Sequence, residues 1–157
     1  MKQRVYIETS IVSYLTGRPS RDMVIAAHQE LTHQWWDTRA SAFDLLVSEL
    51  VREEAAKGDA EASDKRISII GKLPILETSN EAVLLAERLV MSGPIPREYV
   101  ADALHIAISA VNGIEYLLTW NCKHLANAAH RSKIESVVEK AGFTCPVICT
   151  PEELLEE

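Results

Sequence analysis

Four short, mostly apolar runs constrain the fold more than any other feature of this 157-residue chain. They lie at residues 5–7, 42–47, 116–119 and 147–149. None alternates apolar with polar residues, as a strand with one wet face would. Such runs suit strands covered on both faces, the condition of a parallel sheet. Helical patterns fill the intervals. Residues 22–39 carry Ile25, Leu31 and Trp35 near one face, and residues 60–71 carry Ile67 and Ile70. Further helices are expected at 81–91, 97–111 and 132–141, with shorter ones after Thr9 and after Ser48. Lys57-Gly58-Asp59, Ser92-Gly93-Pro94 and Asn112-Gly113 break the pattern between them. Residues 74–77 read as a weak strand, and Thr78 to Glu81 as a capping box. Thr150-Pro151-Glu152-Glu153 reads as a helix start. Strands separated by helices argue for an α/β fold with a mainly parallel central sheet. With no repeat or linker, a single domain over residues 1–157 is expected.

Charge and cysteine usage narrow the function classes. A net charge of -7 argues against a broad basic face for non-specific nucleic-acid binding. It is compatible with acids gathered in one site. The three cysteines are Cys122, Cys145 and Cys149. An odd count without a secretory leader points to reduced thiols and a cytoplasmic protein. Cys145 and Cys149 on one extended segment would stand roughly 13 Å apart, too far for a disulfide. No apolar run approaches a membrane span, so no membrane partner is expected.

Three carboxylates recur where strands give way to helices. Glu8 directly follows the first strand, Glu49 opens the helix after the second, and Asp102 lies in the first turns of a largely apolar helix. Ligands in parallel α/β sheets bind outside the carboxyl ends of the strands. If the first, second and fourth strands are neighbours, the three acids converge there. Mg²⁺ and Mn²⁺ take oxygen ligands and keep several waters, so a few carboxylates suffice. The helix dipole alone also favours an acid such as Glu49 in a first turn. Glu53 and Glu54 read as solvated, and His105, one turn after Asp102, either faces the site or fills out the helix packing, the second being preferred.

Taken together, Tyr6-Ile7-Glu8-Thr9-Ser10, Ser48-Glu49-Leu50, Asp102-Ala103-Leu104-His105-Ile106-Ala107 and Leu118-Thr119-Trp120-Asn121 resemble the successive motifs of PIN-domain proteins. The resemblance is greatest to VapC-like toxins of type II toxin–antitoxin systems and covers essentially the whole chain. It implies a PIN-like α/β/α sandwich and a Mg²⁺- or Mn²⁺-dependent endoribonuclease. It also implies a homodimer and a small cognate antitoxin protein as partners of the RNA-cleaving chain. By position, Glu8, Glu49 and Asp102 become metal ligands, and Asn121 stands where many members carry a fourth acid. Thr9, Ser10 and Thr119 become supporting hydroxyls. Two departures stand out: the first acid is Glu8 rather than Asp, and Asn121 is neutral. They favour an alternative reading, a catalytically weak or silent PIN-like module that binds RNA or a protein. Arg18, Arg21, Arg97 and Lys123 are candidates to hold an RNA backbone.

Other residues invite readings that fail. Cys122 and His124 lack a second pair at zinc-finger spacing. Glu8-Thr9-Ser10-Ile11-Val12-Ser13 lacks the glycines of a dinucleotide loop. Trp35 and Trp36 point about 100° apart on their helix, so one is expected in the core and the other either at a dimer or antitoxin interface or packed on its own helix.

Overall fold

The computed structural model describes residues 1–156. Its centre is a five-stranded sheet in which every pairing is parallel. The strands are β1 (Arg4–Ile7), β2 (Asp44–Ser48), β3 (Ile75–Leu76), β4 (Tyr116–Leu118) and β5 (Val147–Cys149), in the spatial order β3-β2-β1-β4-β5. The chain therefore builds outward from β1 through β2 to β3, then returns to lay β4 on the other side of β1. The reversal falls between β1 and β4, where a parallel sheet opens a crevice at its carboxyl edge. Tyr6 pairs in register with Leu46 on one side and Leu117 on the other. Val5, Tyr6 and Ile7 are fully buried, which accounts for their continuous run.

Seven α-helices cover the sheet: α1 (Thr9–Thr16), α2 (Met23–Thr38), α3 (Glu49–Ala55), α4 (Ala60–Ile70), α5 (Asn80–Met91), α6 (Val100–Val111) and α7 (Ala128–Lys140). Capping follows short polar side chains. Asp22 accepts from the amides of Val24 and Ile25, Ser48 from Val51, Asp59 from Ala62 and Asn127 from Ala129. Ser79, not Thr78, caps α5 by accepting from Ala82. α7 starts at Ala128, before the expected 132, because Asn127 supplies its cap. The expected C-terminal helix is a single tight turn, Glu152–Leu154; Glu153 accepts from the Thr150 amide as a capping box requires. α6 is preceded by a separate turn at Arg97–Tyr99. Gly58 and Gly113 adopt positive φ, the conformation that lets the chain turn sharply after α3 and α6.

The core sits on both faces of β1. Trp35 is fully buried and stacks on Phe43 with ring centroids 6.0 Å apart, whereas Trp36 is half-buried against the same cluster. Ile106 and Ala107 bring α6 fully into the interior. No helix among the described residues is long and apolar enough to cross a membrane. Cys122, Cys145 and Cys149 are free thiols, and burial pushes Cys145 and Cys149 up to about 12. Truncating Ile106 to Ala removes packing from the face that carries Asp102 and His105. Urea unfolding of I106A is expected to show a loss of about 2–5 kcal/mol with an unchanged m-value.

Candidate metal centre at the strand ends

Glu8 is the residue at which β1 becomes α1. Its backbone is extended, its amide donates to the Leu118 carbonyl of β4 at 3.1 Å, and its carbonyl starts α1 by accepting from Ile11. The side chain makes no helix cap. It turns into the crevice and is 7% exposed. Thr9 and Ser10 do not cap α1 either, because their hydroxyls serve the site. Ser10 Oγ donates to Glu8 Oε1 at 2.5 Å, and Thr119 Oγ1 donates to the same oxygen at 2.6 Å. Each of these hydroxyls also accepts a backbone amide, Ser10 from Trp120 and Thr119 from Asn121, both at 2.9 Å. Glu8 Oε1 is thus locked to the loop beyond β4. Among the described residues no hydrogen bond engages Oε2.

α3 contributes Glu54. Glu54 Oε1 accepts from Thr9 Oγ1 at 2.6 Å and lies 2.7 Å from His105 Nε2. The solvated role expected for Glu54 is therefore wrong: its side chain is only 28% exposed, beside a His105 that is 1% exposed. Glu49 lies in the first turn of the same helix, five residues earlier and so about 140° around it. The site closes on Glu54, and Glu49 is not among the groups that converge. Sequence periodicity held a usable clue, because Val51 and Ala55 are the buried face of α3 and Glu54 stands next to Ala55.

His105 is fully buried, yet it is a site residue and not merely packing. Its Nδ1 lies 2.6 Å from Tyr6 Oη, which lies 2.7 Å from Ser48 Oγ. With the proton on Nε2, the chain is satisfied in one direction. Ser48 donates to Tyr6, Tyr6 to Nδ1, and Nε2–H to Glu54, while Ser48 Oγ accepts the Val51 amide. Burial works against a charged imidazole, but the hydrogen bond to Glu54 and the nearby Glu8 and Asp102 outweigh it and raise the His105 pKa. Burial likewise opposes ionised Glu54, and the bonds from His105 and Thr9 outweigh it and lower the carboxyl below its usual range. Desolvation raises Tyr6 far above the ordinary phenol range, so it stays protonated.

Asp102 enters from the first turn of α6. Its Oδ2 lies 3.2 Å from His124 Nδ1, and Asn121 stands near enough to favour the ionised carboxylate. Burial first, and then the charge of Glu8, raise its pKa despite these partners. Asn121 Oδ1 also accepts the His124 amide at 3.1 Å, which shapes the loop. The Tyr99 ring lies over the His124 ring with centroids 3.7 Å apart. Arg18, Arg21, Arg97 and Lys123 are exposed and lie outside this group. Arg18 shares a cleft with Asp59 and Glu61, and Arg97 a hollow with Met91 and Val100.

The donor set fits a divalent ion. One carboxylate oxygen each from Glu8 and Glu54 and one nitrogen of His105 lie within 4.8 Å of one another. Hydrogen bonds hold Oε1 of both carboxylates and leave Oε2 of each to a ligand, the arrangement by which outer partners aim metal-binding groups. The repulsion between Asp102 and Glu8 is the kind a cation relieves. Carboxylate oxygens suit Mn²⁺ and Mg²⁺, whereas both His105 nitrogens are engaged by Tyr6 and Glu54, so the imidazole aims Glu54. Without metal, the His105–Glu54 pair must shape stability against pH. The raised His105 pKa contributes below about pH 6.5, and that contribution is lost as pH rises through the folded-state value. The lowered Glu54 pKa contributes above about pH 4.5, and that contribution is lost as pH falls through its folded-state value. Denaturation in chelator is expected to show the largest stability difference between wild type and Glu54→Gln between these two values, shrinking on either side.

No protein-family model matches the chain, and no curated protein matches it in sequence. Solved structures do match its shape. VapC20 of Mycobacterium tuberculosis, a toxin that cleaves the sarcin–ricin loop, superposes with a TM-score of 0.59 at 16% identity, covering 90% of this chain and 99% of that one. A VapBC2 structure from Rickettsia felis, bound to a DNA fragment from their promoter, gives a TM-score of 0.60 at 14% identity over 94% of this chain and 98% of that one. The five parallel strands flanked by helices are thus the PIN-domain fold in its VapC-like form.

Proposed function

We propose that this chain is a divalent-metal-dependent endoribonuclease of the VapC type. One observation carries the reading: Glu8, Glu54 and His105 present ligand atoms within 4.8 Å of one another at the switch point of a VapC-like fold. In this reading Glu8, Glu54 and Asp102 hold Mg²⁺ or Mn²⁺, with Glu54 in the place first expected of Glu49. The bound ion supplies polarisation of a phosphoryl oxygen and a water acidic enough to attack it near neutral pH. Ser10 and Thr119 aim Glu8, while Thr9 and His105 aim Glu54. His124 restrains Asp102, and the neutral Asn121 accepts the His124 amide, so it shapes the loop that holds an acid instead of adding a fourth. A scissile phosphodiester of RNA would lie across the open side of this group. A small antitoxin, a homodimeric assembly and a cytoplasmic setting complete the proposal by analogy with the fold.

The same engagement of Asp102 by His124 is what favours the alternative, a silent module that binds RNA without cutting it. Cleavage of a fluorogenic RNA in Mn²⁺ separates the two. Wild type is expected to cut, and chelator to abolish cutting. Glu8→Gln, Glu54→Gln and Asp102→Asn are each expected to lose about 100-fold or more, the upper end of what outer-partner losses cost in metal sites. Glu49→Gln is expected to stay within a few-fold of wild type. Thr119→Val, which frees Glu8 Oε1 on one side, is expected to lose about 10–100-fold. Equal activity with and without chelator sinks the metal reading.

A further inference from the structure

The net charge of -7 hides a local surplus of cations. A groove of about 580 Å³ runs between α5 and α7, lined by Arg88, Lys133 and Lys140 and by the hydroxyl residues Ser92, Ser132 and Ser136. No carboxylate lines it. Among the described residues, no ion pair or hydrogen bond engages the three cationic head groups.

Helix periodicity explains the segregation. On α7, Lys133, Val137 and Lys140 fall within one stripe, with Ser132 and Ser136 beside it. Glu135 and Glu139 point elsewhere, close enough to the Cys145 thiol to raise its pKa after burial has done so. Ile134 and Val138 take the buried face. On α5, Arg88 and Ser92 stand one turn apart and face the same groove. An acidic chain has therefore turned both lysines of α7 to the groove and kept the acids of that helix out of its lining.

A short linker and two side-chain contacts connect the groove wall to the candidate metal centre. α7 follows β4, so its first turns lie at the strand-exit end of the sheet. α5 runs antiparallel to it: Glu81 and Leu84 near its start meet Ala141 and Phe143, while Arg88 and Ser92 meet Ser132 and Lys133. Pro94, on the groove wall, begins the short linker to Tyr99. Tyr99 covers His124, and His124 holds Asp102. Lys133 and Lys140 are separated by about 10 Å along the helix axis, a spread suited to successive phosphates and not to one small anion.

We propose that this groove holds the phosphodiester backbone of single-stranded RNA flanking the acid cluster. The identity of the ligand as RNA rests on the ribonuclease reading; the anionic chemistry rests on the groove. It uses none of Arg18, Arg21, Arg97 or Lys123. Backbone contacts of this kind position a strand without reading its sequence.

The test is equilibrium binding of a fluorescent single-stranded RNA in chelator, so that no cleavage is required, between about 50 and 200 mM salt. The triple variant Arg88→Gln, Lys133→Gln, Lys140→Gln is compared with a control, Lys57→Gln, Lys65→Gln, Lys72→Gln, which makes the same change in net charge elsewhere. Circular dichroism and thermal melting check folding, and Lys133→Gln with Lys140→Gln alone serves if the Arg88 change disturbs α5. The groove variant is expected to bind at least tenfold more weakly at the lowest salt. Its log-affinity against log-salt slope is expected to fall by about 2, at roughly 0.7 for each lost cation. A parallel loss with single-stranded DNA supports backbone recognition. No RNA binding by wild type, an unchanged slope, or an equal loss in the control overturns the proposal. Groove-dependent binding with no Mn²⁺-dependent cleavage leaves the groove standing and removes the nuclease reading. Glu54-dependent cleavage with groove variants that bind as wild type does the reverse.

Discussion

Like-charge repulsion at the end of β1 is the constraint that the site is built around. Glu8 and Glu54 are brought together where water is scarce, and the nearby charge of Glu8 adds to burial in raising the Asp102 pKa. The chain holds Glu8 and Glu54 with hydroxyls and an imidazole. Every one of those partners is itself held: Ser10 and Thr119 by loop amides, His105 by Tyr6, and Tyr6 by Ser48. A buried polar network is stable when all its members are satisfied, and costly when one is missing. The path from Ser48 to Glu54 meets that condition while crossing three secondary-structure elements, β2, β1 and α6, before ending on α3.

The architecture was legible because it depends on few variables. Continuous apolar runs at residues 5–7 and 116–119 suit strands covered on both faces, as in a parallel sheet, and glycines at 58 and 113 mark real turns. Glu8 and Asp102 stood out in the sequence because each acid stands against an apolar background, and the structure groups Glu8 with Glu54 and His105. The site was misread on α3, where three acids share one short helix. Choosing among Glu49, Glu53 and Glu54 requires knowing how α3 is rotated over β2, and that angle is set by packing of Val51 and Ala55. His105 was misread for a related reason. Seen in sequence, a histidine among Ala, Leu and Ile is a core filler; only the register of Tyr6 and the rotation of α3 turn it into a hydrogen-bonding hub.

The distribution of charge illustrates a limit of net values. A count of -7 describes the field far from the molecule. At the scale of one helix face, α7 separates its acids from its lysines by rotation alone. The acid cluster and the groove would each be invisible to any reading that averages over the chain, since one concentrates negative charge and the other positive.

The anchoring of Glu8 has an optical consequence. Ser10 binds both the Glu8 carboxylate and the backbone amide of Trp120, whose indole stacks on His28 at 4.0 Å and donates to Thr32 at 2.7 Å. Anything that re-aims Glu8 must shift Ser10, and with it the ring pair. A stacked histidine is a nearby quencher of indole emission, so Trp120 couples the geometry of a colourless carboxylate to fluorescence. The polypeptide thereby carries an internal reporter of the state of its first acid, read without label or substrate.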